Sequence, residues 1–174
     1  LRSLFSYLKS ISHLRLAVDS EIPADLSPYD IVVTADTAGF DKGREHLERF
    51  VAAGGGWLGL VQVSDKPLPK IFGTQTGQIG PAAELRVMFV DSRHAMANRL
   101  SDAFYLKSIY QPLLQLADDT EPILYADWHY AHRPMLLARS VGEGKVACTT
   151  LQAYDDLAFQ QFLRSLIQNV ALGF

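Results

Sequence analysis

Leu1, Leu4, Phe5, Leu8 and Ile11 recur at helical spacing, so the first dozen residues read as an amphipathic helix. Leu14, Leu16 and Val18 then alternate at the period of a short strand. Residues 22–29 hold two prolines and read as a loop. Ile31, Val32, Val33 and Thr34 follow Asp30 without a break, the pattern of a strand covered on both faces. Residues 43–53 predict a helix with Leu47, Phe50 and Val51 inward and Arg44, Glu45, Glu48 and Arg49 in water. Gly54, Gly55 and Gly56 stop that helix, one of them as a left-handed cap, and an apolar strand over residues 57–61 follows.

The second half reads as short strands at 85–90, 104–106, 123–126, 135–138 and 146–149, with a hairpin turn at Gly142-Glu143-Gly144-Lys145. A last helix over 156–171 lines its core face with Phe159, Phe162, Leu163, Leu166, Ile167 and Val170. Helix and buried strand alternate early, which predicts an α/β fold with a mostly parallel central sheet flanked by helices. The closely spaced later strands predict an antiparallel extension. The 174 residues fit one domain with one core.

Composition narrows the function classes. The apolar fraction is 48%, the charged fraction 20% and the net charge −3, which argues against a nucleic-acid or acidic-membrane surface. Cys148 is the single cysteine and has no internal disulfide partner. No apolar run approaches the roughly 18 residues of a membrane span, and no signal-peptide pattern appears. These features predict a cytoplasmic protein.

Ligands of open α/β sheets bind at the carboxyl ends of strands. Gln62, Ser64 and Asp65 follow the glycine-led strand, and Asp36 and Thr37 follow its neighbour, so two adjacent strand ends carry polar residues. The competing reading is a solvated loop with Asp65 in a turn. Cys148 sits in Val146-Ala147-Cys148-Thr149, the setting of a structural cysteine and not of a nucleophile. His129 and His132 have ligand-like spacing, but zinc needs a third ligand and Pro134 argues against a helix there. Residues 73–80 imitate a phosphate loop without its lysine and read as a flexible loop. Tyr110, Trp128, Tyr130 and Tyr154 are candidates for an aromatic wall, with core packing the commoner fate of such residues. Asp155 or Asp156 reads as the cap of the last helix, and Asp118-Asp119 as a turn. No residue pattern names a cofactor.

The sequence resembles the trehalose-utilisation (ThuA-like) family from Tyr29 onward. Tyr29-Asp30-Ile31-Val32-Val33, Ala52-Ala53-Gly54-Gly55-Gly56-Trp57-Leu58-Gly59, Ile71-Phe72-Gly73, Asp91-Ser92-Arg93-His94-Ala95 with Arg99-Leu100, and Gly142-Glu143-Gly144-Lys145-Val146 with Thr149-Thr150-Leu151 fall in the family's order. The resemblance implies a class I glutamine amidotransferase-like, flavodoxin-like fold whose opening strand is absent from this chain. Two family histidines are replaced, one by Val61 and one within Leu151-Gln152-Ala153-Tyr154-Asp155. Amidotransferases carry their nucleophilic cysteine where this chain has Val61. The expected function is therefore a ThuA-like protein of carbohydrate metabolism without glutaminase activity. It would bind a small polar ligand such as a sugar derivative at a rim of Asp36, Gln62, Ser64 and Tyr154. Whether it is catalytic stays open. Two other readings remain: a non-catalytic assembly or partner-binding domain of a longer protein, with a homo-oligomer or an additional domain as partner, and a metal-dependent hydrolase using His129 and His132.

Overall fold

The computed structural model describes residues 1–37, 41–91 and 102–172. The elements run α1 (Arg2–Lys9), β1 (Ile31–Ala35), α2 (Arg44–Ala52), β2 (Gly56–Leu60), a 3-10 turn (Lys70–Phe72), β3 (Thr74–Thr76), β4 (Ala82–Phe89), β5 (Ala103–Ile109), β6 (Leu113–Gln115), β7 (Glu121–Trp128), β8 (Ala131–Val141), β9 (Gly144–Thr149) and α3 (Leu157–Leu172). Seven strands form one sheet in the order β1-β2-β9-β8-β7-β4-β5, and β3 pairs separately with β6.

The expectation of a mostly parallel, flavodoxin-like sheet flanked by helices is not met. Only β1–β2 and β2–β9 are parallel; β9–β8, β8–β7, β7–β4 and β4–β5 are antiparallel. The sheet is mixed, mostly antiparallel and curled into a half-barrel with few helices. The physical reason lies in the connections. A parallel neighbour needs a crossover, usually a helix, and β1–α2–β2 is the one short unit of that kind among the described residues. The later strands join through tight turns: β7 and β8 are separated by His129 and Tyr130, and β8 and β9 by Gly142 and Glu143.

The antiparallel part is also longer than the sequence pattern suggests. Residues 123–126 and 135–138 are the inner portions of strands of 8 and 11 residues. Pro122 and Pro134 lie inside those strands, beside register shifts between Pro122 and Leu124 and between Leu124 and Tyr125. A proline is tolerated where a bulge has already interrupted the ladder.

Two further expectations change. Residues 14–18 have the strand period but pair with nothing among the described residues. Residues 73–80 are no flexible loop throughout, because Thr74–Thr76 pairs antiparallel with Leu113–Gln115.

Burial explains the apolar runs. On β2 and β9 consecutive side chains go to opposite cores. Leu58, Leu60 and Ala147 join the cluster under α1 and α3; Trp57, Val61, Val146 and Cys148 join the one under α2 and the 3-10 turn. Both faces are covered there, so no polar alternation is needed. Strands β4 and β5 alternate buried and exposed residues, as expected where one face meets water. Gly54 ends α2 at φ 106°, a conformation that favours glycine. Asp156 caps α3, its carboxylate accepting from the Phe159 N–H at 2.9 Å. Ser3 of α1 hydrogen-bonds Asp155 beside that cap.

Candidate functional site

The parallel strands β1, β2 and β9 end on the same side of the sheet, and the polar residues after them meet the far end of β5. Val61 N–H donates to Thr149 O at 2.9 Å, which carries the β2–β9 pairing one step past β2. The Gln152 side chain then donates to Val61 O at 3.2 Å, and its backbone N–H donates to Ser108 Oγ at 3.1 Å. Gln111, just past β5, donates from Nε2 to Ser64 O at 2.9 Å. Gln152, Ser108 and Gln111 therefore tie the loop after β2 to the loop after β9 and to β5.

Gln62 and Ser64 fall inside this cluster, both half-buried. Ser64 Oγ accepts from the Lys66 N–H at 3.0 Å, an ST-type turn that fixes the loop. Asp36 stands one strand away, since Ala35 is the register partner of Leu60. It is exposed and holds φ 54°, which an aspartate tolerates better than most residues. The turn beneath it is pinned from below. The Trp57 indole N–H donates to Thr34 Oγ1 at 3.0 Å, Thr34 Oγ1 lies 3.0 Å from Thr37 Oγ1, and the Thr37 hydroxyl donates to Leu60 O at 3.2 Å. Tyr154 differs from the other three. It is buried in the main core against Phe159, with ring centroids 6.0 Å apart. The described cavities of the molecule are lined by none of Asp36, Gln62, Ser64 and Tyr154.

Tyr110 Oη, Gln111 Oε1 and Tyr154 Oη belong to the buried polar atoms without a hydrogen-bond partner among the described residues. Burial pushes the Tyr154 hydroxyl up to about 12 and raises that of Tyr110 as well. Both phenols are thus neutral donors at physiological pH. A shallow cavity of about 450 Å³ is lined by Glu84, Lys107, Ser108, Ile109, Gln152 and two alanines of β4. Charged, hydroxyl and amide groups converge on it from β4, β5 and the loop after β9.

Sequence reasoning placed Gln62 and Ser64 at the end of β2, and both lie beside the polar cluster there. It missed Ser108, Gln111 and Gln152. The available signal was Leu106, Ser108 and Tyr110 at strand period, which puts one hydroxyl on the buried side of β5. Of the aromatic wall, Tyr110 and Trp128 meet, with centroids 5.0 Å apart. Tyr130 is fully exposed at the β7–β8 turn.

The histidine pair does not form a ligand set. His129 lies in the turn at φ 46°, edge-on to Trp128. His132 lies on β8, its Nδ1 2.5 Å from Asp127 Oδ1 and its ring stacked on Tyr125 at 4.3 Å. No group of three or more ligand-type side chains occurs among the described residues. His94, Arg99 and Leu100 lie outside the described residues. Cys148 is fully buried in β9, and desolvation pushes its thiol far above the usual range, so it is no nucleophile.

These features define the class of protein by its architecture: a curled, mixed seven-stranded sheet with a polar rim at the ends of its parallel strands. Solved structures share this architecture. A protein named thua-like from Bacteroides uniformis matches with TM-score 0.77 and 13% identity, over 98% of this chain and 83% of that one. A cytoplasmic protein of Salmonella typhimurium matches with TM-score 0.72 and 15% identity, over 97% and 85%. A β-galactosidase from Rahnella matches with TM-score 0.66 and 20% identity, over 85% of this chain but 24% of its own length. Identities this low establish a common fold alone. No protein-family model and no curated protein matches the sequence.

Proposed function

We propose that the chain is a ThuA-like protein of carbohydrate metabolism that binds a small, hydroxyl-rich ligand, a sugar derivative, at the polar ends of β2 and β9. Gln62 and Ser64 form the near side of the rim, Asp36 its outer lip, and Tyr154 a donor at its base. The observation that carries the reading is the set of buried, unpartnered oxygens on Tyr110, Gln111 and Tyr154. A buried polar atom left without a partner costs about 1–3 kcal/mol, and hydroxyl groups of a ligand would repay part of that. The sequence resemblance and the thua-like structural neighbour point the same way. Glutaminase activity is not part of the proposal, because Val61 stands at the strand end and Cys148 is a buried thiol. A cytoplasmic location fits the single cysteine, and no described helix is long and apolar enough to cross a membrane.

The test is a panel of sugars and keto-sugars read by thermal shift and calorimetry. Binding by at least one of them, weakened at least tenfold by Gln62→Ala, is expected. Failure of the whole panel, or binding indifferent to Gln62→Ala, would remove the proposal.

A second reading has its own observation. In the β-galactosidase from Rahnella this fold accounts for about a quarter of the chain. A domain of this architecture therefore also occurs within a larger enzyme, and assembly or partner binding is the alternative role we propose for this chain. An analytical ultracentrifugation profile of a lone monomer that binds sugar would count against that reading.

A further inference from the structure

At the end of the sheet that carries the polar rim, the β7–β8 hairpin outruns its neighbour. The β8–β9 ladder ends at Leu136 opposite Thr149, and the Thr150 N–H donates to Met135 O one step further. Residues 131–134 of β8 go on without a partner from β9 among the described residues, paired to β7 alone. Four such residues reach about 13 Å past the ladder. The turn that closes this overhang is the one with positive φ at both His129 and Tyr130. Backbone strain of that kind recurs at ligand clamps, where the surroundings hold it in place.

The two faces of the hairpin carry different chemistry. On one face Asp127 and His132 are register partners. The Asp127 carboxylate is fully engaged there, Oδ1 by His132 Nδ1 at 2.5 Å and Oδ2 by Arg86 Nη1 at 3.6 Å. On the other face Arg133 is the register partner of Ala126, which belongs to the same core cluster as Tyr110 and Tyr154. Partners across an antiparallel ladder share a face, so Arg133 stands on the side of the two tyrosines. Trp128 packs against that cluster and meets the Tyr110 ring. Burial raises the Tyr110 hydroxyl and the Arg133 guanidinium pulls it the other way, so the two groups lie within electrostatic reach. Arg133 is exposed and has no hydrogen bond or ion pair among the described residues. Tyr110 is its complement, 6% exposed with an unpartnered Oη. A guanidinium can only donate, and a neutral phenol beside it can donate as well, so together they suit an anionic oxygen.

We propose that Arg133 and Tyr110 form an anion clamp at the rim, so that the ligand is an acidic sugar whose carboxylate or phosphate group sits on Arg133 and accepts from the Tyr110 hydroxyl. The inference rests on the sugar reading above and specifies its ligand class. The rim is continuous with the clamp, because Gln111, the residue after Tyr110, holds Ser64 O at 2.9 Å. An arginine takes carboxylate and phosphate oxygens alike through its paired N–H donors. The chain as a whole carries a net charge of −3, so the preference belongs to this cation and not to the surface at large.

The experiment is calorimetry at low salt with aldonic acids, uronic acids and sugar phosphates, each beside its neutral parent sugar. At least one acidic sugar should bind at least tenfold more tightly than its parent. That advantage should shrink at least threefold in about 0.3 M salt. Arg133→Gln should bring the ratio of acidic to neutral binding below threefold, and Arg133→Lys, which keeps the charge without the fork, should restore part of it. Tyr110→Phe should lower the ratio at least threefold; where that buried variant fails to fold, the exposed Arg133 variants carry the test. Tightest binding by a carboxylate or by a phosphate supports the clamp in either case and names the anion. The two readings fail separately. Neutral sugars held through Gln62 with no preference for their acids would remove the clamp and leave the rim, whereas silence from neutral and acidic sugars alike would remove both. An acidic-sugar advantage that survives Arg133→Gln would also overturn the clamp.

Discussion

At the scale of single residues, Tyr154 is the informative case. Its place after β9 suggests a rim residue, and the fold buries its ring while leaving the hydroxyl without a partner among the described residues. Alkaline pH tests that burial. The hydroxyl is pushed from 10.0 up to about 12 by desolvation. A folded state with the higher value binds the proton more tightly, so its stability is fully present below pH 10 and is lost as pH rises toward 12. The loss amounts to about 1.4 kcal/mol at pH 11. Tyr154→Phe should abolish that portion of the alkaline loss, measured as the shift in urea midpoint between pH 8 and pH 11. At pH 8 without ligand the variant should be as stable as the wild type or more so by up to about 1 kcal/mol, because no buried donor is left unpaired. A marked destabilisation at pH 8 would mean that the hydroxyl has a partner. The same logic explains why the polar rim was half legible. Gln62 and Ser64 follow an obvious strand, so position alone finds them. Gln111 and Gln152 act through bonds to backbone oxygens of a distant loop, at 2.9 and 3.2 Å, which no local pattern encodes.

At the scale of elements, glycines and prolines decide more than propensity does. The glycine run before β2 was legible as a helix stop, but one of its members has a tertiary role. A Cβ on Gly56 would lie 2.8 Å from Val170 O and 2.9 Å from Val170 Cγ1, so α3 rests directly on the start of β2. Gly56→Ala should destabilise by about 1–3 kcal/mol through displacement of that helix, read by urea denaturation. The β7–β8 turn carries the opposite imbalance. His129 and Tyr130 both hold positive φ, 46° and 62°, in a two-residue hairpin that favours Asn-Gly. Replacing them with that pair should raise stability by about 1–2 kcal/mol. If the variant also binds the sugar ligand as well as the parent, the turn is structural. If stability rises and binding falls, the strained turn belongs to the site. The sequence could not show this hairpin, because neither residue is a turn former and Pro134 interrupts the strand that follows.

At the scale of the whole molecule, the two open edges of the sheet are unequal, and the inequality has a measurable consequence. Helix–strand alternation was legible at the start of the chain, where local sequence and neighbour coincide. The placement of β9 beside β2 was not, because more than eighty residues intervene and only three-dimensional pairing reveals it. Because β9 takes the inner place beside β2, β1 is left at the boundary with an interior strand's sequence. The far edge, β5, carries exposed Lys107 and Tyr105 facing Glu84 and Arg86 across the ladder, a polar guard of the usual kind. Among the described residues β1 is the edge without a guard, so the 174-residue chain by itself should associate through it. Light scattering at rising protein concentration should show Val33→Lys suppressing assembly with little change in melting temperature. Lys107→Val, which strips the guard from β5, should create a second route to assembly without removing the first. Equal association of wild type and Val33→Lys would mean that residues 14–18 already shield β1 in solution, and the edge would then be closed from within the chain.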